Sequence, residues 1–130
     1  MPRILIVDDS ALARRMLRQA LLGGGHVVDE APSAEAALER LATGSRPELV
    51  ITNVNMDGLS GIELLKQIRT RWTRIDLPVL VLTTEHTPEA RSRGRTGGAN
   101  GWLVKPFDPE ALLAAVAKVV ASASAMRSTS

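Results

Sequence analysis

The chain has 130 residues, 45% of them apolar and 23% charged, which reads as one ordinary globular domain with a real core. Sixteen Lys and Arg against 14 Asp and Glu leave a net charge of +2, too small to argue for nucleic acid or a polybasic membrane contact. The absence of cysteine excludes disulfides and thiolate metal sites.

The first apolar run, ILIV at 4–7, follows Met1-Pro2-Arg3 with no signal-peptide core between, so a cytoplasmic protein without membrane insertion is expected. Its β-branched and Leu content, ending abruptly on Asp8-Asp9, predicts a buried strand. Leu12, Met16, Leu17, Ala20 and Leu21 then recur at helical spacing until Gly23-Gly24-Gly25 permits the chain to leave the helix with φ > 0. HVV at 26–28 predicts a second strand, and Ala34, Ala37, Leu38 and Leu41 a second helix. LVIT at 49–52 predicts a third strand that ends on Asn53. Ser60, with Glu63 three residues later, is a capping box for a helix carrying Ile62, Leu65 and Ile68.

PVLVL at 78–82 predicts a fourth strand, followed by Thr83. Thr87-Pro88 can start a helix over 88–96, although ARSRGRT offers almost no apolar stripe. GWLV at 101–104 predicts a fifth strand, ending on Lys105. Asp108-Pro109 starts a last helix with Leu112, Leu113, Val116, Val119 and Val120 on its apolar side. The small polar residues at the end predict a domain over 1–122 and a frayed tail over 123–130.

Strand and helix alternate throughout, which predicts an α/β doubly wound parallel sheet of five strands with five helices on its two faces. Ligands of such sheets sit beyond the carboxyl ends of the strands, and that rule selects Asp8, Asp9, Asn53, Thr83 and Lys105. Adjacent carboxylates after a buried strand need positive compensation. Mg2+ can supply it, since this ion takes one or two carboxylates together with phosphate oxygens. A lysine and a hydroxyl donor complete the parts of a phosphoryl site. A lone acidic pair after a strand would be weak evidence.

Four blocks, ILIVDDSALARRML, VITNVNMDGLSGIELL, VLTTE and GGANGWLVKPFDPEALL, stand in an order and at separations that resemble response-regulator receiver domains. The stand-alone chemotaxis regulators of the CheY family are the most similar, over residues 3 to about 120. The resemblance implies a flavodoxin-like sheet of order 2-1-3-4-5. It also implies metal coordination by Asp9 directly, by Asp8 through water, by the Asn55 carbonyl and by position 53. Lys105 would pair with the acceptor and then with the phosphoryl group, and Thr83 would move toward it. Trp102 would be the aromatic switch residue, and the Lys105-Pro106 bond would be cis. Expected partners are a sensor histidine kinase and a downstream protein such as a flagellar motor switch, engaged by a monomer.

Asn53 departs from that pattern, because it occupies the position of the phosphoacceptor Asp. A carboxylate can attack phosphorus to form an acyl phosphate, whereas a carboxamide is neutral and a poor nucleophile, and its missing charge is expected to weaken Mg2+ binding. Either Asn53 is an Asp-to-Asn variant of a normal receiver, or the chain is a receiver that works without phosphorylation as a constitutive interaction module. Asp57 stands where Pro is usual, and stabilising the turn at Gly58 is its simplest role. Trp102 has core filling as its alternative to a switch role. Arg91 and Arg95, one turn apart, read as a solvated face or, together with Trp102, as a docking surface for an acidic partner. A small phosphatase or nucleotide binder is the third candidate, but a phosphatase of the haloacid-dehalogenase type wants Asp-x-Asp, not Asp8-Asp9. His26 and His86 show no metal spacing.

Overall fold

The computed structural model describes residues 3–44, 46–56, 58–84, 92 and 97–129. Nine elements alternate among them: β1 (Arg3–Val7), α1 (Ala11–Gly23), β2 (Val27–Ala31), α2 (Ala34–Thr43), β3 (Leu49–Asn53), α3 (Gly61–Arg69), β4 (Val79–Thr83), β5 (Gly101–Val104) and α4 (Pro109–Thr129). The strands form one parallel sheet of order β2-β1-β3-β4-β5, as expected. Four helices are described where five were expected. Apart from residue 92, the helix at 88–96 lies outside the described residues, as do Arg91, Arg95 and Asp57.

Alternation along the strands sends side chains to two separate cores. Leu5, Val7, Val50, Val79 and Val81 pack with Ala37 and Leu41 of α2 and with Leu64, Leu65 and Ile68 of α3. Ile4, Ile6, Ile51, Leu80 and Leu82 pack with Leu17 and Leu21 of α1 and with Leu112 and Val116 of α4. The helices therefore cover both faces, and the central strands β1, β3 and β4 need apolar residues at successive positions. The helix starts are fixed by hydroxyl caps: Ser10 accepts from Ala13 N, Ser33 from Ala36 N, and Ser60 forms the expected box with Glu63.

Two expectations need correction. The second strand was expected at 26–28 but runs from Val27 to Ala31, through Asp29 and Glu30. It lies at the sheet edge, where each acid is braced by two arginines. Asp29 faces Arg3 and Arg40, both at 3.4 Å, while Glu30 faces Arg14 at 3.3 Å and Arg18 at 2.9 Å. Charged side chains suit an exposed edge that must not pair with another chain. The tail expected to fray over 123–130 instead continues α4 to Thr129, with Ala123 buried and Arg127 donating to the Ile75 carbonyl. That packing supplies what the small-residue composition lacks. By length and composition α4 could also cross a membrane, yet Leu112 and Val116 are fully buried against the sheet.

At the rim opposite the carboxyl ends, Arg69 closes α3 onto the following loops. Its guanidinium donates to the carbonyls of Gly98 (2.9 Å), Trp72 (3.2 Å), Thr73 (3.2 Å) and Leu77 (2.7 Å), and to Asn100 Oδ1 (2.9 Å). Gly98 has φ +98°, and a Cβ there would lie 2.9 Å from Arg69 Nε, so glycine is required on both counts.

Candidate functional site

Strand register assembles the carboxyl rim. Val7 pairs with Thr52, Asn53 with Leu82, and Thr83 with Val104. Asp8, Asn53, Thr83 and Lys105 consequently leave four neighbouring strands within about one residue of the same level, as sheet geometry requires. Four residues separated by up to 97 positions in sequence come together because parallel strands end together.

Asp8 is only 1% exposed and is held at both ends of its backbone and at both side-chain oxygens. Its N–H donates to Ala31 O at 3.2 Å, and its carbonyl accepts from Arg14. Oδ1 accepts from Ser10 N at 2.9 Å, and Oδ2 accepts from Lys105 Nζ at 3.1 Å. A buried carboxylate needs a cation and hydrogen bonds, and Asp8 has both. Asp9, next in sequence, is exposed. Lys105 Nζ also donates to Asn53 Oδ1 at 3.2 Å, so one ammonium bridges two strand ends. The Lys105–Pro106 bond is cis, as the resemblance implied.

Asn53 is half-buried, and its other amide group donates from Nδ2 to the Asn55 carbonyl at 2.7 Å. The two partners fix which way the amide faces, since an ammonium can only donate and a carbonyl can only accept. Behind it, Gly61 N donates to Val54 O at 2.8 Å, and a Cβ on Gly61 would lie 2.0 Å from the Asn53 carbonyl oxygen. The glycine lets α3 start directly against the end of β3.

Thr83 is fully buried, and its carbonyl accepts from Lys105 N at 2.7 Å. Trp102 pairs with Val81 across the sheet and packs, half-buried, against the core on the α3 side. Its indole Nε1 is buried without a hydrogen-bond partner among the described residues. The ring thus contributes to that core in this state. The expectations missed Arg14 and Ser10, which hold Asp8 through its carbonyl and one carboxylate oxygen. The serine directly after the acidic pair was the available signal, as a helix cap.

Magnesium asks for oxygen ligands in near-octahedral geometry. Here Asp8 Oδ1 and Oδ2 face protein donors, the Asn55 carbonyl faces the Asn53 amide, and position 53 turns N–H groups toward that carbonyl. Among the described residues no group of three or more His, Cys, Asp or Glu converges. An Mg2+ ion would meet a protein donor at each of these oxygens and would have to share or displace it.

Residues 4–117 match the family described as response regulator receiver domain. The chain is 41% identical over 112 residues to the response regulator MprA of Mycolicibacterium vanbaalenii, covering 86% of this chain and 47% of that one. It therefore spans about half the length of the curated relatives it matches. The structure is similar to that of the chemotaxis protein CheY4 of Vibrio cholerae, with a TM-score of 0.85 and 39% identity over 92% of this chain and 98% of that one. A CheY-like receiver domain protein of Methanospirillum hungatei, at TM-score 0.88 and 23% identity over 97% and 98% of the two chains, supports the fold alone.

Proposed function

The chain belongs to the response regulator receiver domain family, and on that premise we propose that it is a two-component signalling module held unphosphorylated at position 53. The observation that carries the reading is the Lys105 bridge. The ammonium lies 3.1 Å from Asp8 Oδ2 and 3.2 Å from Asn53 Oδ1, which supports reading position 53 as the acceptor position with an amide where a nucleophile is required. Acid, lysine and hydroxyl are retained while the attacking atom is missing.

In this reading Thr83 and Trp102 are the residues that would report modification, and Asp8 and Lys105 hold the site together. The module acts by binding, not by turnover. Its input partner is a sensor histidine kinase, and its output partner is a downstream signalling protein, of which a flagellar motor switch is one example. The similarity to CheY4 supports the chemotaxis assignment, and a cytoplasmic monomer is the form proposed.

Incubation with a small phosphodonor such as acetyl phosphate tests the reading. Asn53→Asp should take up one acid-stable, base-labile phosphoryl group, and the parent chain none. Uptake by the parent would overturn the proposal. The second reading, a constitutive interaction module, is favoured by the complete pairing of the Asn53 amide at both ends. It expects the output partner to bind the parent and Asn53→Asp equally, with or without phosphodonor.

A further inference from the structure

We propose that the Asn53 carboxamide takes the place of a divalent cation in this site, tying the Asn55 carbonyl and the Asp8–Lys105 pair together so that the acidic pocket closes without metal. The inference rests on reading the pocket as a receiver site, but not on its signalling role.

Each atom of the pocket is limited in what it can accept or donate. A carboxylate at position 53 has only acceptor oxygens. It would face the Asn55 carbonyl, also an acceptor, and the two could be joined only by a cation, a water or a proton. The amide has one acceptor and one donor end, and the structure shows both engaged. Nδ2 donates to Asn55 O at 2.7 Å, and Oδ1 accepts from Lys105 Nζ at 3.2 Å. Lys105 then reaches Asp8 Oδ2 at 3.1 Å, and Asp8 Oδ1 takes the Ser10 N–H. The chain of contacts Asn55–Asn53–Lys105–Asp8–Ser10 runs unbroken across three strand ends, with every link a donor meeting an acceptor. A metal ion drawn to the Asn55 carbonyl meets the positive end of the Asn53 amide there.

Charge works in the same direction. Asp8, Asp9 and Lys105 give the pocket a formal charge of −1, where an aspartate at position 53 would give −2. Charge alone and the amide contact make different predictions at one substitution. Asn53→Ala leaves the formal charge unchanged but releases the Asn55 carbonyl.

Mg2+ titration of the full chain by calorimetry, with thermal midpoints recorded across the same concentrations, separates the two. Asn53→Ala should bind Mg2+ about fivefold more tightly than the parent, the factor expected when one competing hydrogen bond is removed. The parent's midpoint should rise with Mg2+ less than that of Asn53→Asp. Equal Mg2+ affinity for the parent and Asn53→Ala, with tighter binding only by Asn53→Asp, would assign the effect to charge and overturn the proposal. So would a parent midpoint that rises with Mg2+ as far as that of Asn53→Asp. Should Asn53→Ala not fold, Asn53→Ser, equally neutral and too short to span to Asn55, takes its place with the same expectation. Phosphoryl uptake by the parent would instead sink the functional reading and leave these affinities as they are.

Discussion

Removing the Arg69 guanidinium while keeping its aliphatic stem, as Arg69→Met does, should cost the domain about 3 kcal/mol. The figure follows from the three shorter contacts, to Leu77 O at 2.7 Å and to Gly98 O and Asn100 Oδ1 at 2.9 Å, which lose a charged donor. Each such bond contributes on the order of 1.5 kcal/mol, and the desolvation of the half-buried cation offsets part of the sum. Burial, and then the neighbouring Arg74, lower the Arg69 pKa to about 10, so the group stays protonated at neutral pH. Its five acceptors are all neutral, and among the described residues no carboxylate pairs with it. The loss should consequently be insensitive to salt, unlike that of a surface ion pair. Urea denaturation at low and high ionic strength is the assay, with a fall in thermal midpoint of about 10 °C as its counterpart for a domain of this size. Arg69→Lys should recover less than half of the loss, because one ammonium cannot reproduce a planar fork. A loss below about 1 kcal/mol, or one abolished by salt, would refute this account of how α3 is joined to the loops before β4 and β5.

Three further outcomes follow from the site. Gly61→Ala places a Cβ against a main-chain oxygen at 2.0 Å and should lower stability by about 2–4 kcal/mol, read as a shift of the urea midpoint at constant slope. Lys105→Met leaves Asp8, 1% exposed, without its cation and should cost about 3 kcal/mol, measured the same way. Ser10→Ala removes the cap of α1 and should cost about 1 kcal/mol, with faster amide exchange confined to the first turn of that helix.

What could be read from the sequence divides along physical lines. Central strands announce themselves because both faces are buried, so ILIV, LVIT and PVLVL need no partner to be recognised. The edge strand β2 does not, since Asp29 and Glu30 look like loop residues until Arg3, Arg40, Arg14 and Arg18 arrive from three other elements. The end of α4 was hidden for a related reason: its stability comes from Ala123 packing and the Arg127 contact with Ile75, not from an apolar stripe. Asp8, Asn53 and Lys105 were found together because parallel strands deliver their ends to one rim. The Asn53 contact with Asn55 was not, because it depends on how the turn after β3 aims a carbonyl. Arg69 escaped notice since four of its five acceptors are main-chain carbonyls, which leave no mark in a sequence.

The side-chain amide of Asn53 reports most directly on the central claim. In a nitrogen-labelled sample its two Nδ2 protons should give separate, slowly exchanging resonances, one of them shifted downfield by the Asn55 carbonyl, and both should stay in place on addition of millimolar Mg2+. Rapid exchange with water, or resonances that move or broaden on addition of Mg2+, would show that the amide does not close the pocket.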